Sequence, residues 1–209
     1  MNLLHRDLLR IVAVAAATVT LAFVSTLPAQ TAAPAVPAAA APATPAVPAT
    51  PGLTLTTTAF EDGGLIPVRF TQSAPSPVSP KLDWTHVPAG TASFALIMHD
   101  PDVALNRTTE DFLHWLIFNI PGSATGLPEN VPLAAQLPDG SVQSKNRGNL
   151  NGYRGPGAPA VGPYHHYTFE LFALDVKLDL TSDATRADVL KAMDGHILGK
   201  AVTVGRFHR

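Results

Sequence analysis

The sequence has no cysteine. That excludes disulfides, thiol nucleophiles, thiolate metal sites and a lipid carried on an N-terminal cysteine. The core alone must therefore hold any folded domain together. Charge is missing over a long stretch: between Ile11 and Ala59 there is no Lys, Arg, Asp or Glu. Charged residues make up 14% of the 209 positions, and the formal charge of −2 offers no basic excess to a nucleic-acid backbone. Several catalytic signatures are absent as well. There is no GxGxxG or GxxxxGK(S/T) for nucleotides, no GxSxG nucleophile elbow, and no HxH or HExxH spacing for a metal.

What is present falls into three parts. MNLLHRDLLRIVAVAAATVTLAFVSTLPAQ places Arg6 and Arg10 before an apolar run from Ile11 to Val24, followed by small residues and Pro28. This is the order of a secretory signal over residues 1–29, with an uncleaved N-terminal anchor as the alternative. The reading implies export, to the periplasm or beyond, or display at a membrane. Residues 30–52, QTAAPAVPAAAAPATPAVPATPG, form an Ala/Pro-rich disordered linker. Proline breaks helices and alanine offers too little surface for a core. The folded domain is expected over 53–209.

Within that domain the apolar pattern is mainly that of strands. LTLTTTAF (53–60), SFALIMHD (93–100), FLHWLIFNI (112–120), HHYTFELFALD (165–175) and AVTVGRF (201–207) are the candidates. One helix is expected over 185–198, capped near Ser182 and Asp183, with Val189, Leu190 and Met193 as its apolar stripe. The connections 121–139 and 145–164 are unusually long, and the second, KNRGNLNGYRGPGAPAVGPY, is dense in Gly and Pro. Such a segment forms a rigid, non-repetitive wall.

HDPDVALNRTTEDFLHW (99–115) crowds acids and histidines between two apolar runs. Strand alternation places Asp100 with Phe94, Leu96 and Met98. It places His114 with Phe112, Leu116, Phe118 and Ile120, and puts His165 and Tyr167 with Phe169 and Leu171. If these faces meet, the four polar groups share one mouth of the core. Protonated imidazoles, a tyrosine hydroxyl and glycine-rich backbone N–H groups would then donate to a small anion. His165 and His166 are adjacent and point to opposite faces, so they make no joint metal site.

These residues carry a resemblance. SPVSPKLDW, PAGTASFALIMHDPD, FLHWLIFNIP, GYRGPGAPAVGPYHHYTFELFALD and ATRADVLKAMDGHILGKAVTVGRF run in the order seen in the phosphatidylethanolamine-binding protein family. The chain is most similar to that family's bacterial, Raf-kinase-inhibitor-like branch. The resemblance implies a mainly β fold with a central antiparallel sheet, a second smaller sheet and a C-terminal helix. It also implies a pocket for an anion such as a lipid head-group phosphate. By motif that pocket would use Asp100, His114, His165 and Tyr167, with Gly155, Pro156 and Pro159 as its wall. Val103-Ala104 stands where the family usually has Ala-Pro, Ala158 where a proline pair is common, and His166 where arginine is frequent.

The functional expectation is an exported, non-enzymatic binding protein for a phosphate- or carboxylate-bearing ligand, a phospholipid head group among them. It needs no cofactor and no metal. The alternative is a protein-interaction module that inhibits a partner kinase or protease. A metal-assisted hydrolase using His114, His165 and Asp100 is the remaining reading. The resemblance also makes a homodimer reasonable.

Overall fold

A computed structural model describes residues 51–209. The signal or anchor at 1–29 and nearly all of the linker at 30–52 lie outside the described residues. The elements run β1 (Thr54–Thr56), β2 (Leu82–Thr85), β3 (Ser93–Asp100), β4 (Phe112–Pro121), β5 (Gly126–Leu127), β6 (Val142–Gln143), β7 (His165–Leu174), α1 (Arg186–Met193) and β8 (Ile197–Phe207). Five strands form a large sheet in the order β6-β4-β3-β7-β8, and three form a smaller one in the order β1-β2-β5. Every named strand pair is antiparallel.

β3 sits at the centre of the large sheet, and all eight of its residues are buried. That explains its unbroken apolar run, since a strand covered on both faces has no polar side to show. One face carries Phe94, Leu96 and Met98 and meets Leu55, Leu82 and Trp84 of the small sheet. The opposite face, with Ala95, Ile97, Leu116 and Phe118, is covered by Val189 and Met193 of α1. Each such large side chain contributes about 1.5–3 kcal/mol on burial.

β4 does not alternate as a regular strand would. Phe94 faces Ile120 and Leu96 faces Ile117, so β4 carries one residue more than β3 between these pairs. Asn119 takes the left-handed conformation there (φ 57°), and its side chain bonds both the N–H and the carbonyl of Leu178. A second extra residue lies between the pairs Met98–Trp115 and His99–Leu113, and that residue is His114. The two bulges put Leu116 and Phe118 on the helix-covered face, against the expectation that they share His114's side.

The helix is shorter than the sequence pattern predicts. Its cap is Thr185 rather than Ser182 or Asp183. The Thr185 hydroxyl accepts from the Asp188 N–H, and the Asp188 carboxylate accepts from the Thr185 N–H. It stops at Met193, before Gly195 turns the chain with φ 82°. Ile197 then pairs with Leu174, so the tail HIL belongs to a strand. Leu190 is exposed, leaving Val189 and Met193 as the buried stripe. β1 is likewise shorter than 53–60, because Thr57 turns away and its hydroxyl donates to the Lys81 carbonyl.

Candidate functional site

At one end of the large sheet, β3, β4 and β7 deliver Asp100, His114, His165 and Tyr167 to a cavity of about 300 Å³. The strand ends supply the polar groups. The loop after β3 contributes Val103 and Leu105, and the Gly/Pro segment contributes Gly157, Ala158 and Pro159. The four polar residues expected to converge do converge.

Asp100 is almost fully buried, and its two carboxylate oxygens have separate partners. Oδ2 lies 2.7 Å from His165 Nδ1, and Oδ1 accepts from the Asp102 N–H at 3.0 Å. Asp102 in turn accepts from the His166 N–H at 2.6 Å, and the exposed His166 ring lies beside it. His166 is therefore exterior, as strand parity predicts. Asp100, Asp102 and His165 place ligand atoms within 4.8 Å of one another, the spacing of a candidate cation site, with these oxygens already engaged as above.

His114 owes its place to the bulge. Its Nδ1 lies 2.8 Å from the Arg154 carbonyl oxygen, and the Arg154 N–H donates to the His114 carbonyl at 3.0 Å. Burial holds the ring well below the ordinary histidine range, at about 4, outweighing the upward pull of the Arg154 carbonyl and the Asp100 carboxylate. The imidazole is thus neutral at neutral pH. Nδ1 carries the proton and donates to the carbonyl, leaving Nε2 as an acceptor. The sequence reading of His114 as a protonated donor is corrected here, and the cause is desolvation.

Tyr167 lies edge-on to His114, with ring centroids 5.1 Å apart. Its hydroxyl oxygen accepts from the N–H groups of Gly157 (3.2 Å) and Ala158 (3.1 Å). Burial, and then the nearby Asp100 charge, push the phenol above its usual range. The backbone N–H groups expected to reach a ligand are thus bound to Tyr167 instead.

Pro159 lines the cavity, whereas Gly155 and Pro156 stand behind it. The Gly155 and Pro156 carbonyls accept from the side-chain amide and the backbone N–H of Gln72, respectively. A Cβ on Gly155 would come within 2.6 Å of the Phe70 carbonyl oxygen, so this close approach requires glycine. Their role is to anchor the wall against residues 70–72.

Among the lining residues that sequence reasoning did not assign to the site are Gln72, Phe112 and Arg154. Arg154 stands inside the quoted GYRGP stretch, and its charge was the available signal. Phe112 begins β4 beside His114, with ring centroids 4.8 Å apart. Gln72 is remote in sequence and carries no motif.

A larger cleft of about 780 Å³ lies between the start of β4 and the start of α1. Its charges largely offset one another: Arg186 pairs with Asp111, Lys145 with Asp183 and Arg147 with Glu110. The smaller cavity, where unlike polar groups converge from three strands, is the better candidate.

Comparison with known proteins bears on this geometry. A sequence model described as phosphatidylethanolamine-binding protein matches residues 56–208. A UPF0098 protein of Methanothermobacter thermautotrophicus is 48% identical over 157 residues, which is 75% of this chain and 99% of the relative. "Putative lipoprotein LppC" of Mycobacterium tuberculosis is 36% identical over 156 residues, 74% of this chain and 72% of its own. Among solved structures, Escherichia coli YbcL, described as a member of the mammalian PEBP family, superposes with TM-score 0.67 and 28% identity. That match spans 76% of this chain and 99% of YbcL. A PEBP homologue, CT736 of Chlamydia trachomatis, gives 0.65 and 30%, over 76% and 98% of the two chains.

Proposed function

The chain belongs to the phosphatidylethanolamine-binding protein family, and from that premise we propose that it is an exported, non-enzymatic binding protein for a small anion. The ligand class is a phosphate or carboxylate, a phospholipid head group included. The observation that carries this reading is the convergence of His114, His165, Tyr167 and Arg154 on one small cavity with apolar walls. Such a site is large enough for a phosphate with a short substituent, and its polar groups would fix orientation beside the apolar Phe112 and Leu105.

Export rests on the leader pattern of residues 1–29 and on the lipoprotein description of the mycobacterial relative. Lacking cysteine, this chain would reach the membrane through its apolar N-terminal run rather than a lipidated cysteine.

The test is calorimetric titration of the full chain with phosphoethanolamine, inorganic phosphate and acetate, with zinc added in parallel. Saturable binding of the phosphate compounds at one site per chain supports the proposal. Heat from zinc alone would favour the metal-assisted alternative, and silence from every probe would overturn the anion reading.

A further inference from the structure

Arg154 is tied to His114 through both of its backbone groups, as described above, while its side chain lines the cavity. The guanidinium is held in place on several sides. Its Nη2 donates to Gln72 Oε1 at 3.3 Å, and its Cζ lies 5.8 Å from the centre of the Phe112 ring. Nη1 packs so closely on Gly148 that a Cβ there would come within 2.2 Å. Nε is buried and has no hydrogen-bond partner.

Asp100 lines the same cavity, but its carboxylate is committed to His165 and the Asp102 N–H rather than to Arg154. Arg69, Arg147 and Arg186 pair with Glu129, Glu110 and Asp111, whereas Arg154 forms no ion pair among the described residues. The other polar groups of the cavity are engaged. Asp100 holds His165 and the Asp102 N–H, Tyr167 accepts from two backbone N–H groups, and His114 Nδ1 donates to a carbonyl. Arg154 therefore contributes a fixed positive charge to the cavity wall. Its planar fork suits two oxygens of one phosphate.

From this arrangement we infer that Arg154 makes the cavity select doubly charged phosphomonoesters over singly charged phosphodiesters and carboxylates. The inference rests on the anion-binding reading and adds the ligand's charge state to it. The physical reason is Coulombic: the attraction to one fixed cation scales with ligand charge, and a half-buried wall screens it less than bulk water would. Gln72 and Phe112 act as positioning residues, holding the plane of the guanidinium.

The experiment compares the full-length wild type with Arg154→Gln and Arg154→Lys, by calorimetry at pH 8, using methyl phosphate, dimethyl phosphate and acetate. At that pH methyl phosphate is a dianion and the other two are monoanions. Arg154→Gln should weaken methyl phosphate by about a hundredfold and dimethyl phosphate by about tenfold, since the logarithm of the effect follows ligand charge. Arg154→Lys should keep the order of preference. Equal losses for both esters in Arg154→Gln would show a side-chain role confined to packing against Gln72 and Phe112, and would overturn the inference while leaving the anion site standing. An unchanged ratio with unchanged affinities would do the same. A wild type that binds neither ester would overturn the anion site itself, and the inference with it.

Discussion

The Nδ1 of His114 donates to the carbonyl oxygen of Arg154 at 2.8 Å, and this bond fixes the tautomer of the ring that faces the cavity. One consequence is a pH-dependent stability. His114 has a folded pKa of about 4 against an ordinary 6.5. Between those values the unfolded chain takes the proton and the folded chain does not, so stability falls as pH drops through that window. The loss attributable to His114 is roughly 3 kcal/mol. Thermal unfolding of wild type and His114→Asn from pH 7 to 4 measures it. The variant, which keeps a donor near the carbonyl, should show a flatter profile.

The same ring predicts the pH dependence of binding. Once protonated, Nε2 becomes a donor aimed at the ligand, and a bound anion favours that charged form. Affinity for an anion of constant charge should therefore rise as pH falls below neutrality, with net proton uptake on binding. Calorimetry of dimethyl phosphate, whose own charge does not change in this range, in two buffers of different ionisation heat reads the uptake directly. Proton release would contradict the assignment.

Asp100→Ala and His114→Ala should each abolish detectable anion binding while the fold persists. Asp100 holds the His165 ring and the turn at Asp102, both of which sit on the cavity rim rather than in the core between the sheets. Circular dichroism checks the fold and titration with phosphate checks the site. Unchanged affinity in both variants would remove the site assignment.

Tyr167→Phe removes the acceptor of two backbone N–H groups, at Gly157 and Ala158. Leaving such donors without a partner costs about 1–3 kcal/mol. Hydrogen exchange should accelerate at Gly157 and Ala158, and denaturant unfolding should record the loss of stability.

Behind the cavity, on the helix-covered side, His99 stands between Asp111 and Glu170, with Nδ1 2.6 Å from Asp111 and Nε2 3.4 Å from Glu170. The adjacent His99 ring, and after it the Lys200 ammonium that donates to Glu170, holds that carboxyl at about 2, below the usual range and against the effect of burial. Asp111→Asn takes the charged partner from both His99 and Arg186. It should destabilise the domain by about 2 kcal/mol and leave phosphate affinity unchanged. A change in affinity without a change in stability would show that this network acts on the cavity.

The sequence by itself determined the sheet-forming segments and most of the site. SFALIMHD, FLHWLIFNI and HHYTFELFALD became β3, β4 and β7 with nearly the expected limits, because long apolar runs with β-branched and aromatic residues have few other ways to be buried. Asp100, His165 and Tyr167 were legible from simple alternation. His114 reached the cavity for a different reason than parity supplied. It is the extra residue of a bulge, and bulges depend on pairing with a neighbouring strand that local sequence does not encode. Tertiary structure also decided the protonation of His114, since the desolvation that lowers its pKa comes from residues far away in sequence. It decided that Gly155 and Pro156 stand behind the wall, with Gln72 holding them there across more than eighty residues. And it decided the placing of Arg154. That residue is one cation among many along the chain, and the packing of Phe112, Gln72 and Gly148 around it sets its guanidinium at the cavity wall without an ion-pair partner among the described residues.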